Sequence, residues 1–273
     1  MKLEVRKTSG GCGAEVLGVD LRHLTNSQME AVRQAYTDHG VIFFRDQSLT
    51  PDDHIAFARR WGDIVVNKFF TPSENPLIAE VRKEKEQTTN IGGGWHTDHS
   101  YDAEPAMGSI LVARDLPEEG GDTLFANMYA AYDALSPGLK ATLENMRAVH
   151  SNAHVFGAVS VYKGTDAKFR NENLVSDATH PVVITHPASG RKALYVNPGF
   201  TVQFEGWTLQ ESRPLLDFLF AHATKPEFTC RFRWSSGSVA FWDNRATWHY
   251  AANDYQGHRR LMHRITIAGG PLN

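Results

Sequence analysis

Apolar positions recur along the chain with two different periods. Residues 3–8 and 14–21 alternate as strands do, and a cluster of Gly10, Gly11 and Gly13 separates them. From Asn26 to about Asp38 the spacing becomes helical, with Thr25 or Asn26 as the cap and Gly40 at the end. VIFFR at 41–45 is apolar almost throughout and predicts a buried strand. Thr50, Pro51, Asp52 and Asp53 open a second helix. Proline fits the first helical position, and acids suit the positive end of the helix dipole. That helix turns Ile55, Phe57 and Ala58 inward and stops at Gly62. Residues 63–82 hold a polar loop that includes Asn67, Lys68, Phe69 and Phe70, then a strand from Leu77 to Val81.

The run GGGWHTDHSYD at 92–102 predicts a strand entered from a glycine hinge, and 106–113 predicts another. A tight turn from Glu119 leads into a strand bearing Thr123, and Ser136 with Pro137 starts a helix to about Met146. Residues 150–180 are long, polar and irregular, as lids and binding loops are. Strands follow at 181–185, 192–196 and 200–204. An amphipathic helix then runs from Thr208 to Thr224, with Thr208 and Glu211 spaced as a capping box. The segments 228–234, 239–242 and 260–267 close the chain as β-structure, a Ser-Ser-Gly turn joining the first two. No repeat or linker divides the chain. One domain over 1–273 is expected, mostly β with covering helices, most like a double-sheet jelly roll.

Composition narrows the function classes. With 28 Lys+Arg against 31 Asp+Glu, the formal charge is −3, so no basic excess exists to bind a phosphate backbone and no nucleic acid partner is expected. The two cysteines, Cys12 and Cys230, form no CxxC pair, which suits a reduced, cytoplasmic setting. No apolar run approaches the length of a membrane span, so no membrane partner is expected either. The early glycines do not make a dinucleotide loop, because Val16 stands where G-x-G-x-x-G needs its last glycine.

The chemistry gathers around 92–102. On a strand, His96 and Asp98 point to one side while Thr97 and His99 point to the other. An imidazole and a carboxylate so placed are two thirds of a 2-His-1-carboxylate set, which leaves positions open on iron(II). His249, in the aromatic surroundings of FWDNRATWHY at 241–250, is the candidate third ligand. Shortly after it, Arg260, Met262 and Arg264 share one face of a strand, the two arginines roughly 13 Å apart at Cα. Burying both is costly unless anions pair with them, and the guanidinium fork suits a carboxylate or sulfonate.

The order His96-x-Asp98, Thr123, His249, Arg260, Arg264 resembles the taurine dioxygenase family of iron(II)/2-oxoglutarate oxygenases. The likeness extends through GAEVLGVD (13–20), GGDTL (120–124), HPVVITHP (180–187), FLFAHATKPEF (218–228), WDNR (242–245) and MHR (262–264). It implies a double-stranded β-helix, the distorted jelly roll of clavaminate synthase-like proteins, with His96, Asp98 and His249 on Fe(II). It implies Arg260 and Thr123 on the distal carboxylate of 2-oxoglutarate, O₂ as second co-substrate, and hydroxylation of a small anionic substrate with succinate and CO₂ released. By the same likeness Arg264 holds the substrate's anion, and Phe156, Phe200 and Trp242 line its pocket or the metal surroundings. A homo-oligomer, dimer or tetramer, is also implied. Two departures weigh against taurine itself. Asn67 stands where the taurine enzyme has a substrate-binding histidine, and Ile91 with Gly92–Gly94 replaces an asparagine-rich turn.

Plainer readings stand beside these. Arg264 has a protein carboxylate as its other natural partner, Thr123 taken alone is an ordinary strand residue, and Phe156 and Phe200 suit a core. Asn67 fits a substrate contact or a plain loop. His99, His150, His154 and His263 carry no assigned role. Two other functions share the motif: a zinc hydrolase using His96, Asp98 and His99, and a metal-binding jelly roll without catalysis.

Overall fold

The computed structural model describes residues 3–68, 74–156 and 175–273. The chain opens with the antiparallel pair β1 (Glu4–Lys7) and β2 (Ala14–Leu17). Thr25 caps α1 (Asn26–His39): its hydroxyl accepts from the Gln28 amide while the Gln28 side chain reaches back, and Gly40 ends the helix at φ 70°. β3 (Val41–Phe44) follows, then α2 (Pro51–Arg59), capped reciprocally by Thr50 and Asp53. Next come β4 (Ile64–Val65), β5 (Ala79–Lys83), β6 (Gly108–Asp115) and β7 (Thr123–Asn127). Asn127 caps α3 (Met128–Asp133) and Ser136 caps α4 (Pro137–Leu143), ahead of β8 (Arg147–Ser151) and α5 (Ala153–Phe156). β9 (Asp177–Pro181), β10 (Val183–Thr185), β11 (Lys192–Leu194) and β12 (Thr201–Phe204) lead to α6 (Leu209–Ala223). The last strands are β13 (Thr229–Phe232), β14 (Val239–Asp243), β15 (Thr247–Ala251) and β16 (Arg260–Ile267).

Among the described residues, the main sheet runs β1-β2-β3-β14-β6-β16-β4, with β5 also paired to β16. A smaller sheet, β13-β7-β15, packs against it. The interior between them holds Phe43, Leu111, Trp242 and Met262 from the main sheet and Phe125 and Phe232 from the small one. The opposite face of the main sheet carries Ile42, Phe44, Phe241 and Ile265, covered by residues such as Val32 of α1 and Phe57 of α2. Being covered on both sides explains why β3 and β14 are buried at every position. Two facing sheets with a helical layer outside form the expected double-stranded β-helix. The strand pleat does the positioning, since Arg260, Met262 and Arg264 of β16 face the interior while His263 faces out toward α2.

Several local expectations fail for identifiable reasons. Residues 92–102 are not a strand. His96 makes a single bridge with His249, and the chain then turns, with His99 at φ 61°. The turn breaks the alternation, so His99 does not point away from Asp98's side; it lines the same cavity. β5 lies two residues later than expected, because its register is set by pairing with β16 rather than by its own apolar run. The helix from Ser136 ends at Leu143, short of Met146. The turn after β13 does exist, with Ser238 N–H donating to Ser235 O at 3.0 Å, yet β13 and β14 belong to different sheets and do not pair. Helix α5 and strand β9, in and at the end of the span 150–180 read as irregular, have no strong periodic signal. Phe69, Phe70 and residues 157–174 lie outside the described residues. No helix among the described residues is long and apolar enough to cross a membrane.

Candidate active site

His96 and His249 are joined through their backbones. His96 N–H donates to His249 O at 3.1 Å and His249 N–H to His96 O at 2.8 Å. A bridged pair presents its side chains on one face, and the imidazole centroids lie 4.1 Å apart. Gly199 makes room for this, because a Cβ there would sit 2.4 Å from His96 Cβ. The turn after the bridge brings Asp98 under both rings, with Oδ1 3.8 Å from His96 Nε2 and Oδ2 3.7 Å from His249 Nε2. One donor atom from each of His96, Asp98 and His249 lies within 4.8 Å of the others, forming the group suited to a metal among the described residues. His99 is outside it. Its Nδ1 is paired with Asp102 Oδ2 at 2.8 Å, and the converging group holds His249 where the zinc hydrolase reading needs His99.

The protonation chemistry of this set fits a divalent metal. Gly94 O accepts from His96 Nδ1 at 2.7 Å, fixing the tautomer that leaves a lone pair on Nε2. Burial lowers the pKa of His96, and burial together with His96 lowers that of His249 further, so both rings are neutral near pH 7. Burial alone would raise the Asp98 carboxyl; Arg264, then His249 and His96, outweigh it and hold it below the usual carboxylate range. Two neutral imidazoles and one carboxylate are a good donor set for iron(II).

Around these ligands is a cavity of about 150 Å³, lined by Asn67, Thr123, Phe156, Phe200, Trp242, Arg260 and Arg264 among others. The fold therefore brings every residue singled out above to one place. Arg264 does pair with a protein carboxylate, its Nη2 lying 2.7 Å from Asp98 Oδ2, while it also lines the cavity. Arg260 behaves differently. It is 4% exposed, and Nε and Nη2 have no hydrogen-bond acceptor among the described residues. Asp122, the carboxylate that acts on it electrostatically, is bound to Arg231 Nε at 2.6 Å. Trp242 packs its ring 4.6 Å from that of His249 and keeps that side dry. Phe156 and Phe200 pack with Tyr101 in one apolar cluster, so they are wall and core at once.

Two residues, Tyr101 and Trp234, were missed in the sequence, and His99 had a place only in the zinc reading. Tyr101 and His99 line the cavity, and Trp234 donates its indole N–H to Thr123 Oγ1 at 3.0 Å. A strict strand reading hides Tyr101 and His99, since both depend on the turn after His96. No sequence signal marks Trp234, whose role appears only when β13 lies beside β7.

Comparison with known proteins agrees with this geometry. The family described as "Taurine catabolism dioxygenase TauD, TfdA family" matches residues 4–266. The chain belongs to that family. It is 36% identical to the "Alkylsulfatase" of Acinetobacter baylyi, covering 98% of this chain and 86% of that protein. It is likewise 36% identical to the "Alpha-ketoglutarate-dependent sulfate ester dioxygenase" of Pseudomonas putida, covering 98% and 90%. A taurine dioxygenase structure from Burkholderia xenovorans superposes with a TM-score of 0.85 at 36% identity, covering 100% of this chain and 93% of the other.

Proposed function

We propose that this protein hydroxylates a small anionic organic compound, such as a sulfate ester, sulfonate or carboxylate, and consumes 2-oxoglutarate and O₂. The observation that carries the proposal is the buried, acceptor-less guanidinium of Arg260 in the same cavity as the His96, Asp98 and His249 triad. An uncompensated cation at that depth is costly, and an anionic ligand relieves the cost. The family's chemistry makes the chain a 2-oxoglutarate-dependent oxidoreductase, and its relatives' named substrates are small anions.

His96, Asp98 and His249 would hold Fe(II), which when bound supplies oxygen activation and oxidation of a C–H bond. Arg260 receives the distal carboxylate of 2-oxoglutarate in a charge-assisted pair, with the Thr123 hydroxyl donating to the same group. Arg264 keeps Asp98 ionised and oriented, and the side of it that lines the cavity is placed to meet the substrate's anion. Tyr101, Phe156 and Phe200 hold the apolar part of the substrate, exclude water and turn one carbon toward the metal. A sulfate ester or sulfonate hydroxylated next to its heteroatom would break down by itself, so no protein base is needed for cleavage.

The test is a panel of alkyl sulfates, sulfonates, aryloxy acids and simple carboxylates, assayed with iron(II) for succinate released in proportion to the compound added. At least one class is expected to give stoichiometric coupling. Activity restored to metal-stripped protein by zinc, with no succinate from any compound, would refute the reading.

A further inference from the structure

The end of the cavity away from the metal contains a polar contact that the proposed chemistry does not by itself require. Thr123 on β7 and Phe232 at the end of β13 are register partners, and Trp234, two residues beyond, packs into the same interior cluster as Phe232. Its indole therefore reaches diagonally across to Thr123, where Nε1 donates to Oγ1 at 3.0 Å. Both residues are buried, Trp234 at 7% exposure and Thr123 at 2%. The same indole ring lies 5.8 Å from the Arg260 guanidinium carbon and packs edge-on against Phe232, with centroids 4.9 Å apart. One side chain thus touches both groups assigned to the co-substrate carboxylate.

We propose that Trp234 is a positioning residue that makes Thr123 a hydrogen-bond donor to that carboxylate. A threonine hydroxyl has one proton and two lone pairs, and left alone it rotates to donate or accept as its surroundings dictate. An indole N–H can only donate. It occupies a lone pair of Oγ1 and orients the hydroxyl proton away from itself. Thr123 lines the cavity, and among the described residues no protein acceptor is seen for its proton. The proton then faces the cavity beside Arg260. The site is set to present one O–H and one guanidinium, both donors, to a carboxylate, and a ligand that donates at this position meets an unfavourable contact. Trp234 never touches the ligand; it acts through Thr123 and by holding the ring face next to Arg260.

This inference rests on the co-substrate assignment of Thr123 and Arg260, so its test separates the two. The affinity of 2-oxoglutarate for iron(II)-loaded protein, measured by calorimetry without oxygen, is compared for the parent, Trp234→Phe, Thr123→Val and the double variant. Trp234→Phe keeps an aromatic ring over Arg260 and removes the donor. Affinity is expected to fall roughly two- to tenfold in Trp234→Phe, with iron affinity unchanged, and no further fall is expected when the same change is made on Thr123→Val. Equal losses in both backgrounds would reveal a general packing role and overturn the proposal, as would no loss in the parent background. Thr123→Val binding 2-oxoglutarate as well as the parent would remove the co-substrate assignment and the proposal with it. If Trp234→Phe does not fold, the benzothienyl analogue of tryptophan at 234, which replaces N–H by sulfur at nearly constant shape, takes its place with the same expected outcomes.

Discussion

At the scale of single residues, the two arginines of β16 do different work although they are only four positions apart on one face. Arg264 is bonded to Asp98, so removing it leaves a buried carboxylate faced by the imidazoles of His249, His96 and His99 and by the Ser109 hydroxyl at 3.4 Å, none of them a full counter-charge. Arg264→Met should cost on the order of 3 kcal/mol in metal-free protein. Much of that loss should disappear when Mn(II) is bound, because the ion takes over the compensating charge. Chemical denaturation with and without Mn(II) checks this, and an equal loss in both conditions would contradict it. Arg260 lacks a protein acceptor, and its removal should leave stability nearly unchanged or raise it. Arg260→Met should weaken 2-oxoglutarate binding roughly ten- to hundredfold, in line with a charged hydrogen bond. Chemical denaturation reads the first and titration calorimetry the second. The ligand residues were legible because their chemistry is scarce: few arrangements join His-x-Asp to a distant histidine followed by paired arginines. Trp234 and Tyr101 were not, because tryptophan and tyrosine in strands and turns are common, and only the fold shows what they touch.

At the scale of elements, the capped helices were the easiest to read. Thr25, Thr50 and Thr208 each make the reciprocal cap that their sequences announce. The 92–102 segment was the hardest, because a bridge of one residue followed by a turn has no periodicity. The bridge depends on Gly199, and Gly199→Ala should push His96 away from His249. A roughly ten- to hundredfold loss of metal affinity is expected, similar to other changes that disturb ligand orientation. Equilibrium dialysis with Mn(II) measures it, and unchanged affinity would show that the bridge tolerates displacement. Helix α2 contributes a pH dependence. Its His54 is fully buried, and burial, followed by Arg114 and His263, lowers its pKa to about 3. The unfolded chain, titrating near 6.5, binds the proton more readily between those values, so stability present above pH 6.5 is lost as pH falls toward 3. His54→Leu should remove about 2 kcal/mol of the stability difference between pH 7 and pH 5. Urea denaturation at the two pH values decides this; the same slope in the variant and parent would exclude His54 as its source.

At the scale of the whole molecule, function depends on bringing residues from three distant parts of the chain together in one interior. Thr123 and His249 lie on adjacent strands of the small sheet, Arg260 and Arg264 on the main sheet, and the loop with His96 and Asp98 is stitched to β15 between them. The architecture was legible as many short strands with covering helices, since strand length and alternation are local properties. Sheet order was not, because the separation of β13 and β14 into different sheets is decided by which partners cover their faces. Non-local closure of this kind is also why the ligand set could be assembled from sequence only by matching the whole order of motifs.

The central claim is that His96, Asp98 and His249 share one iron while Arg260 receives the keto-acid. Iron(II) and 2-oxoglutarate added without oxygen test it most directly, followed by visible absorption in the parent, His249→Ala and Arg260→Met. A metal-to-ligand charge-transfer band is expected in the parent, no band in His249→Ala, and in Arg260→Met a band only at much higher 2-oxoglutarate. No band in the parent, or the same band at the same concentrations in all three, would contradict the account.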